Sequence, residues 1–320
     1  MVSNMQSGLV SVILPAYNTP EIFLQEAIES VLAQTYSNLE LLIIDDSTTA
    51  PVTATVEAYP DRRIKYFRNP ENLGMAASRN RGLELASGEF IALLDHDDLW
   101  MPEKLQKCLE IFSKQQDAVL VYSDTIPLGE YASRRIKMRK AEGRIFSAMI
   151  AQNPILSMSC SVVRRTILEQ CCIKFNSDCV PCDDWDFHLQ CALHGCVYCT
   201  AEPLVKYRYH ENNLSSNAVK MYYAGICVID KYQKLLEEFV QQTEFTRHAL
   251  QKSINYIAFK HYYGLAFEYC GDRQGYVMDQ NQRKAGGERV RRDRCRFDGR
   301  RLRYGCEVAL GLPQPIQSGE

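Results

Sequence analysis

The sequence lacks the features of an exported or membrane-spanning chain. No apolar run approaches the ~18 residues that a helix needs to cross a bilayer. The N-terminus, MVSNMQSGLVSVILPAYN, has no basic region before its apolar run, which ends at Pro15. We therefore expect a cytoplasmic protein without a signal peptide. In that compartment its 13 cysteines are predicted to be reduced thiols, used mainly as small buried hydrophobic residues.

Several recognition motifs are also missing. The sequence contains neither a Gly-rich loop of the P-loop type nor a dinucleotide fingerprint. Its net charge of −2 gives no reason to expect nucleic acid as a partner. A zinc ribbon stays open as an alternative, because Cys179-x-x-Cys182 and Cys196-x-x-Cys199 have paired spacing. We favour buried thiols, since GCVYCT is predicted to be a strand, in which residues three apart face opposite sides.

Strands alternate with helices along the first part of the chain. Short apolar runs of the kind found in buried parallel strands are each followed by a segment of helical periodicity. This alternation predicts an α/β fold with a mostly parallel sheet flanked by helices. The predicted strands are VSVIL (10–14), LELLII (39–44), RIKYF (63–67), FIALL (90–94) and AVLVY (118–122).

The rest of the chain changes in composition. Residues 125–145 carry the basic run RRIKMRK and are predicted to form a loop, whereas residues 146–175 return to apolar and helical patterning. The C-terminal part contains an arginine run at 289–303 with little apolar periodicity. We therefore predict three parts: a main domain over 1–216, a helical extension over 217–270 and a basic, weakly ordered tail over 271–320.

Acidic clusters follow two of the predicted strands. Asp45 and Asp46 come after LELLII, and Asp95-His96-Asp97-Asp98 comes after FIALL. In open α/β sheets, ligands bind at the carboxyl ends of the strands, so both clusters face one crevice. Helix capping or turn formation is an equally good explanation of Asp45 alone, but it explains only one acid of the second cluster. The other acids predict a site for Mg²⁺ or Mn²⁺, cations that also bind substrate phosphates.

Ordered segments of the sequence resemble glycosyltransferase family 2 over roughly residues 8 to 216. The resemblance implies the GT-A fold, a Rossmann-like sheet that binds a nucleotide-sugar, and sugar transfer with inversion at the anomeric carbon. The segments that carry it are VSVILPAYN (10–18), LELLIIDDS (39–47), NLGMAASRNRGLELASGEFIALLDHDDLW (72–100) and DDWDFHLQCALHG (183–195).

The resemblance also implies the residues that bind the donor. Pro15, Tyr17 and Asn18 belong to the PAYN segment, in which Tyr17 is expected to lie against the nucleobase. Asp46 is expected to accept a hydrogen bond from a base N–H. Arg79, in the SRNRG segment, is expected near the diphosphate.

Further roles follow from the same resemblance. Asp95 and Asp97 correspond to the Asp-x-Asp motif, which makes Asp95 a donor-binding residue and Asp97 a direct metal ligand. His210 matches a position that supplies a further metal ligand in some relatives. Asp184 corresponds to the general base, which inverting transfer needs in order to deprotonate the acceptor hydroxyl.

Two neighbours of the expected base are candidate acceptor-binding residues. Asp183 stands where the family usually has Glu, so its carboxylate has a shorter reach. Trp185 is assigned either to the acceptor site, by stacking on a sugar ring, or to the core, and we favour the core.

The implied function is that of an inverting, metal-assisted hexosyltransferase of class EC 2.4. UDP-sugar is the default donor, and a glycan or lipid-linked sugar in the assembly of a cell-surface polysaccharide is the expected acceptor. A degenerate, non-catalytic nucleotide-sugar-binding or glycan-binding module and a nucleotidyltransferase are the alternatives. The arginine run leaves open a peripheral contact with the inner face of a membrane, although a solvated tail is favoured. The sequence fixes neither the sugar nor the oligomeric state.

Overall fold

The computed structural model describes residues 5–49, 51–128, 140–151, 153–211 and 213–242. All of these residues belong to one compact unit, Met1–Asp272. The predicted tail from residue 271 onward and the second half of the predicted helical extension lie outside the described residues. In the part of the chain that the structure describes, no helix has the length and apolar character needed to span a bilayer.

The described residues contain eight α-helices, eight strands and three single-turn 3-10 helices, Met158–Cys160, Ser177–Cys179 and Leu214–Ser216. The helices are α1 (Glu21–Leu32), α2 (Thr53–Glu57), α3 (Met75–Leu85), α4 (Lys104–Lys114), α5 (Phe146–Ala151), α6 (Arg165–Gln170), α7 (Asp183–His194) and α8 (Ala218–Gln242). The strands are β1 (Gln6–Ala16), β2 (Leu39–Asp45), β3 (Ile64–Arg68), β4 (Gly88–Leu93), β5 (Leu99–Trp100), β6 (Ala118–Leu128), β7 (Ser161–Arg164) and β8 (Cys196–Arg208).

The strands form one sheet in the order β3-β2-β1-β4-β7-β6-β8-β5. The first four strands in this order are parallel to one another, and β6 is parallel to β8. Strand β7 is antiparallel to both β4 and β6, and β5 is antiparallel to β8. The predicted α/β fold is therefore confirmed, and its sheet is mixed.

The prediction for residues 146–175 was correct at both ends and wrong in the middle. Helices α5 and α6 occupy part of that range, but β7 lies between them as a strand of four residues. So short a strand has too few positions to show a periodicity. Strand β6 also extends into the predicted loop as far as Leu128, while residues 129–139 of that loop lie outside the described residues.

Close packing of α3 on β1 depends on Gly82. A Cβ atom at this position would lie 2.4 Å from Cγ2 of Ile13, so only glycine permits this approach. Arg79 lies one turn earlier on the same face of α3, where it is 3% exposed. The glycine therefore brings a buried arginine close to the sheet.

The carboxyl ends of three central strands meet at one edge of the sheet. Ala16 at the end of β1 pairs with Asp45 at the end of β2, and Ile13 pairs with Leu93 at the end of β4. The segments that follow these strands, including both acidic clusters, consequently lie side by side. We call the edge at Ala16, Asp45 and Leu93 the donor edge, after the nucleotide-sugar donor that the family resemblance predicts there.

Candidate active site

The PAYN segment is held against the end of β2. Asp46 N donates a hydrogen bond to the Ala16 carbonyl (2.8 Å), and Asn18 N donates to Ser47 Oγ (2.9 Å). Asn18 has a φ of +46°, in the left-handed region that asparagine tolerates. The turn leaves Tyr17 47% exposed, so its ring is free to stack on a planar group. Pro15 lies within β1, opposite Ile44.

Asp46 organises the start of α3 through its carboxylate. Oδ1 accepts hydrogen bonds from Asn69 Nδ2 (2.6 Å) and Leu73 N (2.8 Å), and Oδ2 accepts one from Gly74 N (2.9 Å). Because Oδ2 has a single protein donor, it retains a lone pair for a ligand N–H. This geometry is compatible with recognition of a nucleobase by Asp46, which stays a prediction.

Asp45 has the structural contacts expected of a turn residue. Its carboxylate accepts hydrogen bonds from Ser47 N (2.9 Å), Val52 N (3.1 Å) and the Tyr66 hydroxyl (2.7 Å), and the residue is fully buried. These contacts favour the turn explanation for this acid.

The second acidic cluster divides into one buried and two partly exposed carboxylates. Asp98 is 1% exposed and accepts hydrogen bonds from Arg208 N (3.0 Å) and Ser157 Oγ (3.4 Å). Burial, together with the charges of Asp97 and Asp95, raises the pKa of Asp98 well above its usual range. These contacts give Asp98 a structural role, whereas ligand binding by Asp95 and Asp97 stays a prediction.

Asp97 and His210 are far apart in the sequence but lie next to each other in the structure. Asp97 Oδ2 lies 2.8 Å from His210 Nε2, and their side chains are 14% and 24% exposed. Asn213 Nδ2 lies 3.4 Å from the same carboxylate oxygen and fixes the loop, since His210 N donates to Asn213 Oδ1 (2.6 Å). The structure thus brings together both residues expected to bind a metal.

The chemistry of this pair fits Mn²⁺ or Mg²⁺. A carboxylate suits Mn²⁺ or Mg²⁺, whereas an imidazole suits a transition-metal ion such as Mn²⁺ better than Mg²⁺, and small divalent cations commonly take only one or two protein ligands besides water and substrate phosphates. Within the described ranges no group of three or more His, Cys, Asp or Glu residues is placed to hold a metal. A cation here would complete its coordination with oxygen ligands from water or a substrate.

Arg79 connects the donor edge to α7. Its guanidinium makes two ion pairs of 2.7 Å, one with Asp95 Oδ1 and one with Asp183 Oδ2, and it lies 5.4 Å from the centre of the Phe175 ring. Burial lowers the pKa of this arginine, but the charges of Asp183 and Asp95 together outweigh burial and raise the pKa above its usual value, so Arg79 stays charged. Its Nε has no hydrogen-bond partner among the described residues. Contact between Arg79 and a diphosphate stays a prediction, because both terminal nitrogens already donate to protein carboxylates.

Asp184 is the second residue of α7 and lies beside this bridge. Burial and the adjacent Asp183 charge raise its pKa to about 7, against the opposing influence of Arg79 and a hydrogen bond from Trp185 N (2.6 Å). A carboxyl group with this pKa exchanges a proton near neutral pH, which is what a general base requires.

The two candidate acceptor residues have contacts inside the protein. Asp183 is 1% exposed and pairs with Arg79, while Trp185 is 8% exposed and donates from Nε1 to the Met149 carbonyl (2.9 Å). These contacts give both residues structural roles, so contact with an acceptor stays a prediction that this geometry does not support.

The CxxC alternative is not supported by the structure. Cys182 Sγ contacts the Met221 carbonyl, Cys179 Sγ lies 3.4 Å from Cys227 Sγ, and Cys199 Sγ contacts the Thr200 carbonyl. The two CxxC pairs therefore face different surroundings, in agreement with the prediction of buried thiols.

Several supporting residues were not identified from the sequence. Asn69, Ser159 and Asn213 hold the acidic clusters, since Ser159 Oγ accepts from Asp95 N (3.0 Å). Asp186 is fully buried and binds Lys231 Nζ (2.8 Å), which attaches α8 to α7. The one sequence signal that could have identified such a residue is a position close to a motif residue in the chain, as for Asn213, which comes three positions after His210.

Comparison with solved structures defines the class of fold. TarS residues 1–349 of S. aureus in complex with UDP-GlcNAc is similar with a TM-score of 0.61 and 17% identity, covering 84% of this chain and 76% of that one. The mannosyltransferase PcManGT of Pyrobaculum calidifontis, in complex with GDP-Man and Mn²⁺, has a TM-score of 0.54 and 15% identity, covering 85% and 90%. The protein has the GT-A fold of glycosyltransferases.

Sequence comparison identifies the family. Residues 11–172 match the profile of Glycosyl transferase family 2. A glycosyltransferase of Haemophilus influenzae is 33% identical over 220 residues, 65% of this chain and 68% of the relative. The Escherichia coli UDP-Glc:alpha-D-GlcNAc-diphosphoundecaprenol beta-1,3-glucosyltransferase WfgD is 43% identical over 110 residues, 34% and 43% of the two chains. The chain belongs to glycosyltransferase family 2 and is a glycosyltransferase enzyme.

Proposed function

We propose that the protein transfers a sugar from a UDP-sugar to a hydroxyl group of a glycan or lipid-linked acceptor, with inversion at the anomeric carbon. The observation that carries the proposal is Asp184, whose pKa of about 7 lies at the pH where a base must work. The Asp183–Arg79–Asp95 bridge ties this carboxyl group to the donor edge. Base and donor site are thus parts of one rigid arrangement.

UDP is the proposed nucleotide. Tyr17 has an exposed ring at the donor edge, and Asp46 Oδ2 retains a lone pair for the single imide N–H of uracil. The relative from Escherichia coli is named for UDP-Glc, and the TarS structure contains UDP-GlcNAc, which supports the same choice.

Asp97 and His210 are the proposed ligands of Mn²⁺ or Mg²⁺. When bound, the cation would stabilise negative charge on the departing diphosphate as a Lewis acid. The two side chains lie within 2.8 Å of one another at the donor edge, and His210 packs beside Phe23 with ring centres 5.7 Å apart. PcManGT contains Mn²⁺ in its complex with GDP-Man, which supports a metal in this fold.

Asp184 is the proposed general base. Its ionised carboxylate takes the proton from the acceptor hydroxyl while that oxygen bonds to the anomeric carbon and the bond to the UDP oxygen breaks. The products are the glycosylated acceptor, UDP and a protonated Asp184, so the transfer balances without any other reactant. Because the protonated carboxyl cannot accept a proton, activity should fall as the pH drops below about 7.

The proposed acceptor is a lipid-linked sugar used in polysaccharide assembly. The name of the Escherichia coli relative specifies a sugar carried on diphosphoundecaprenol. Such an acceptor requires the enzyme to work at a membrane surface, and we propose a cytoplasmic location with peripheral contact at the inner face. The basic residues at 289–303 supply positive charge for that contact.

Release of UDP from UDP-Glc and UDP-GlcNAc tests the proposal. We expect Asp184→Asn to lower kcat by about 10²- to 10⁴-fold, the usual contribution of a general base, and to leave UDP affinity unchanged. Asp178→Asn is a matched control, because Asp178 is an exposed acid shortly before α7. Wild-type turnover in Asp184→Asn, or a flat pH profile of kcat/KM between pH 5 and 8, would contradict the assignment.

A further inference from the structure

Arg208 connects two separate segments of the donor edge. Its backbone N–H donates to Asp98 Oδ1 (3.0 Å), and its Nε donates to the carbonyl oxygen of Asp97 (2.8 Å). Its carbonyl oxygen accepts a hydrogen bond from Asn213 Nδ2 (3.2 Å). Arg208 therefore joins the acidic loop after β4 to the loop after β8 that carries His210.

Helix α1 supplies the support for this arginine. The guanidinium lies over the Phe23 ring, 4.3 Å from its centre, and its Nη2 forms an ion pair with the Glu26 carboxylate. The arginine side chain is only 14% exposed, so these contacts are partly shielded from water. The His210 ring packs against the same Phe23 ring. Arg208 and His210 are thus placed against one rigid surface.

The contacts of Arg208 do not involve the atoms of the neighbouring pair that would bind the cation. It binds the backbone carbonyl of Asp97 rather than the carboxylate, and no described contact joins it to His210 Nε2. This arrangement fixes the position of both side chains without competing for the cation.

We propose that Arg208 is a positioning residue that holds Asp97 and His210 at the separation at which they bind Mn²⁺ together. The inference rests on the metal role of this pair in the proposed function. Residues that orient metal ligands typically change metal affinity about 10- to 100-fold when they are substituted. Lysine cannot replace this arginine, because an ammonium group lacks the planar fork that donates to two partners while stacking on a ring.

Binding of Mn²⁺ in the presence of saturating UDP tests the role of Arg208. We expect Arg208→Met and Arg208→Lys each to weaken the apparent Mn²⁺ affinity about 10- to 100-fold, measured by loss of the electron paramagnetic resonance signal of free Mn²⁺. UDP affinity in EDTA should stay within about twofold of the wild type, since Tyr17 and Asp46 do not contact Arg208. Phe23→Leu should weaken Mn²⁺ binding less than either substitution.

Arg164→Met is a matched control. Arg164 also stacks on aromatic rings, Phe90 and Phe112, and donates to the Ala118 carbonyl, but it lies in β7 away from the pair. Its loss should lower thermal stability and leave Mn²⁺ affinity unchanged. Wild-type Mn²⁺ affinity in Arg208→Met, or an equal loss of UDP affinity in EDTA, would overturn the inference. A wild-type protein that binds UDP but takes up no Mn²⁺ would overturn both the inference and the proposed metal ligands, while leaving the proposed base to its own test.

Discussion

At the scale of single residues, Asp184 is subject to opposing influences. Burial is the largest effect on its pKa and raises it, and the adjacent Asp183 charge raises it further. Arg79 and the hydrogen bond from Trp185 N act in the opposite direction. The resulting pKa of about 7 is therefore set by a small group of neighbours, and changing one of them should move the pH dependence of the reaction.

Asp183→Asn should shift the acidic limb of the kcat/KM profile to lower pH. The substitution removes the negative charge that raises the pKa of Asp184 and frees Arg79 from one of its ion pairs. Both changes favour the ionised base, and we expect a shift of about one pH unit. Steady-state rates between pH 5 and 9 measure it. A limb that stays in place or moves to higher pH would contradict this account of the base.

Single residues were predicted where the resemblance supplied a motif, and their partners were not. Asp97 and His210 were both expected to bind a metal, and the structure brings them within 2.8 Å. The contacts of Arg79 with Asp95 and Asp183 were not expected, because they join residues that are 16 and 104 positions away in the chain. The role of Arg208 likewise depends on α1, which no motif connects with the acidic loop.

At the scale of secondary-structure elements, the packing of α3 on β1 places Arg79. Gly82 is a poor helix former, and replacing glycine by alanine inside a helix ordinarily stabilises it by about 1 kcal/mol. Here the new Cβ would lie 2.4 Å from Ile13 Cγ2, a distance that real Cβ atoms do not adopt. The helix would have to move away from the sheet.

Gly82→Ala should consequently destabilise the protein. Overpacking in a well-packed core costs about 1–3 kcal/mol, which exceeds the gain in helix propensity. Urea denaturation of the wild type and the variant measures the change in the free energy of unfolding. The double variant Gly82→Ala/Ile13→Ala should be more stable than the sum of the single changes, because the added methyl group occupies the space vacated by Ile13. Strict additivity would show that the contact does not limit the approach of α3.

Elements with several turns or a continuous apolar run were predictable, and short ones were not. The central strands β1, β2 and β4 are buried on both faces, which gives their sequences the apolar runs that identified them. Strands β5 and β7 have two and four residues and owe their existence to neighbours that are distant in sequence. The local sequence pattern does not show which distant strands such short segments pair with.

At the scale of the whole molecule, the acidic clusters of the candidate site follow strands that end at one edge of the sheet. Alternating strands and helices predicted the α/β fold, and the rule that ligands bind at the carboxyl ends of strands predicted the edge at which the candidate site residues are expected. The sequence pattern could not predict that β6 pairs with β8, or that β7 pairs with β4 and β6. These pairings complete the sheet, and β8 ends at Arg208, two residues before His210.

The most direct test of the account is calorimetric titration of the protein with UDP, GDP, CDP and dTDP, each with and without Mn²⁺. We expect UDP to bind most tightly and Mn²⁺ to strengthen its binding. We also expect Asp97→Asn to abolish this metal dependence while metal-free binding of UDP persists. Tightest binding of another nucleotide, or a metal effect that survives Asp97→Asn, would contradict the proposed donor site.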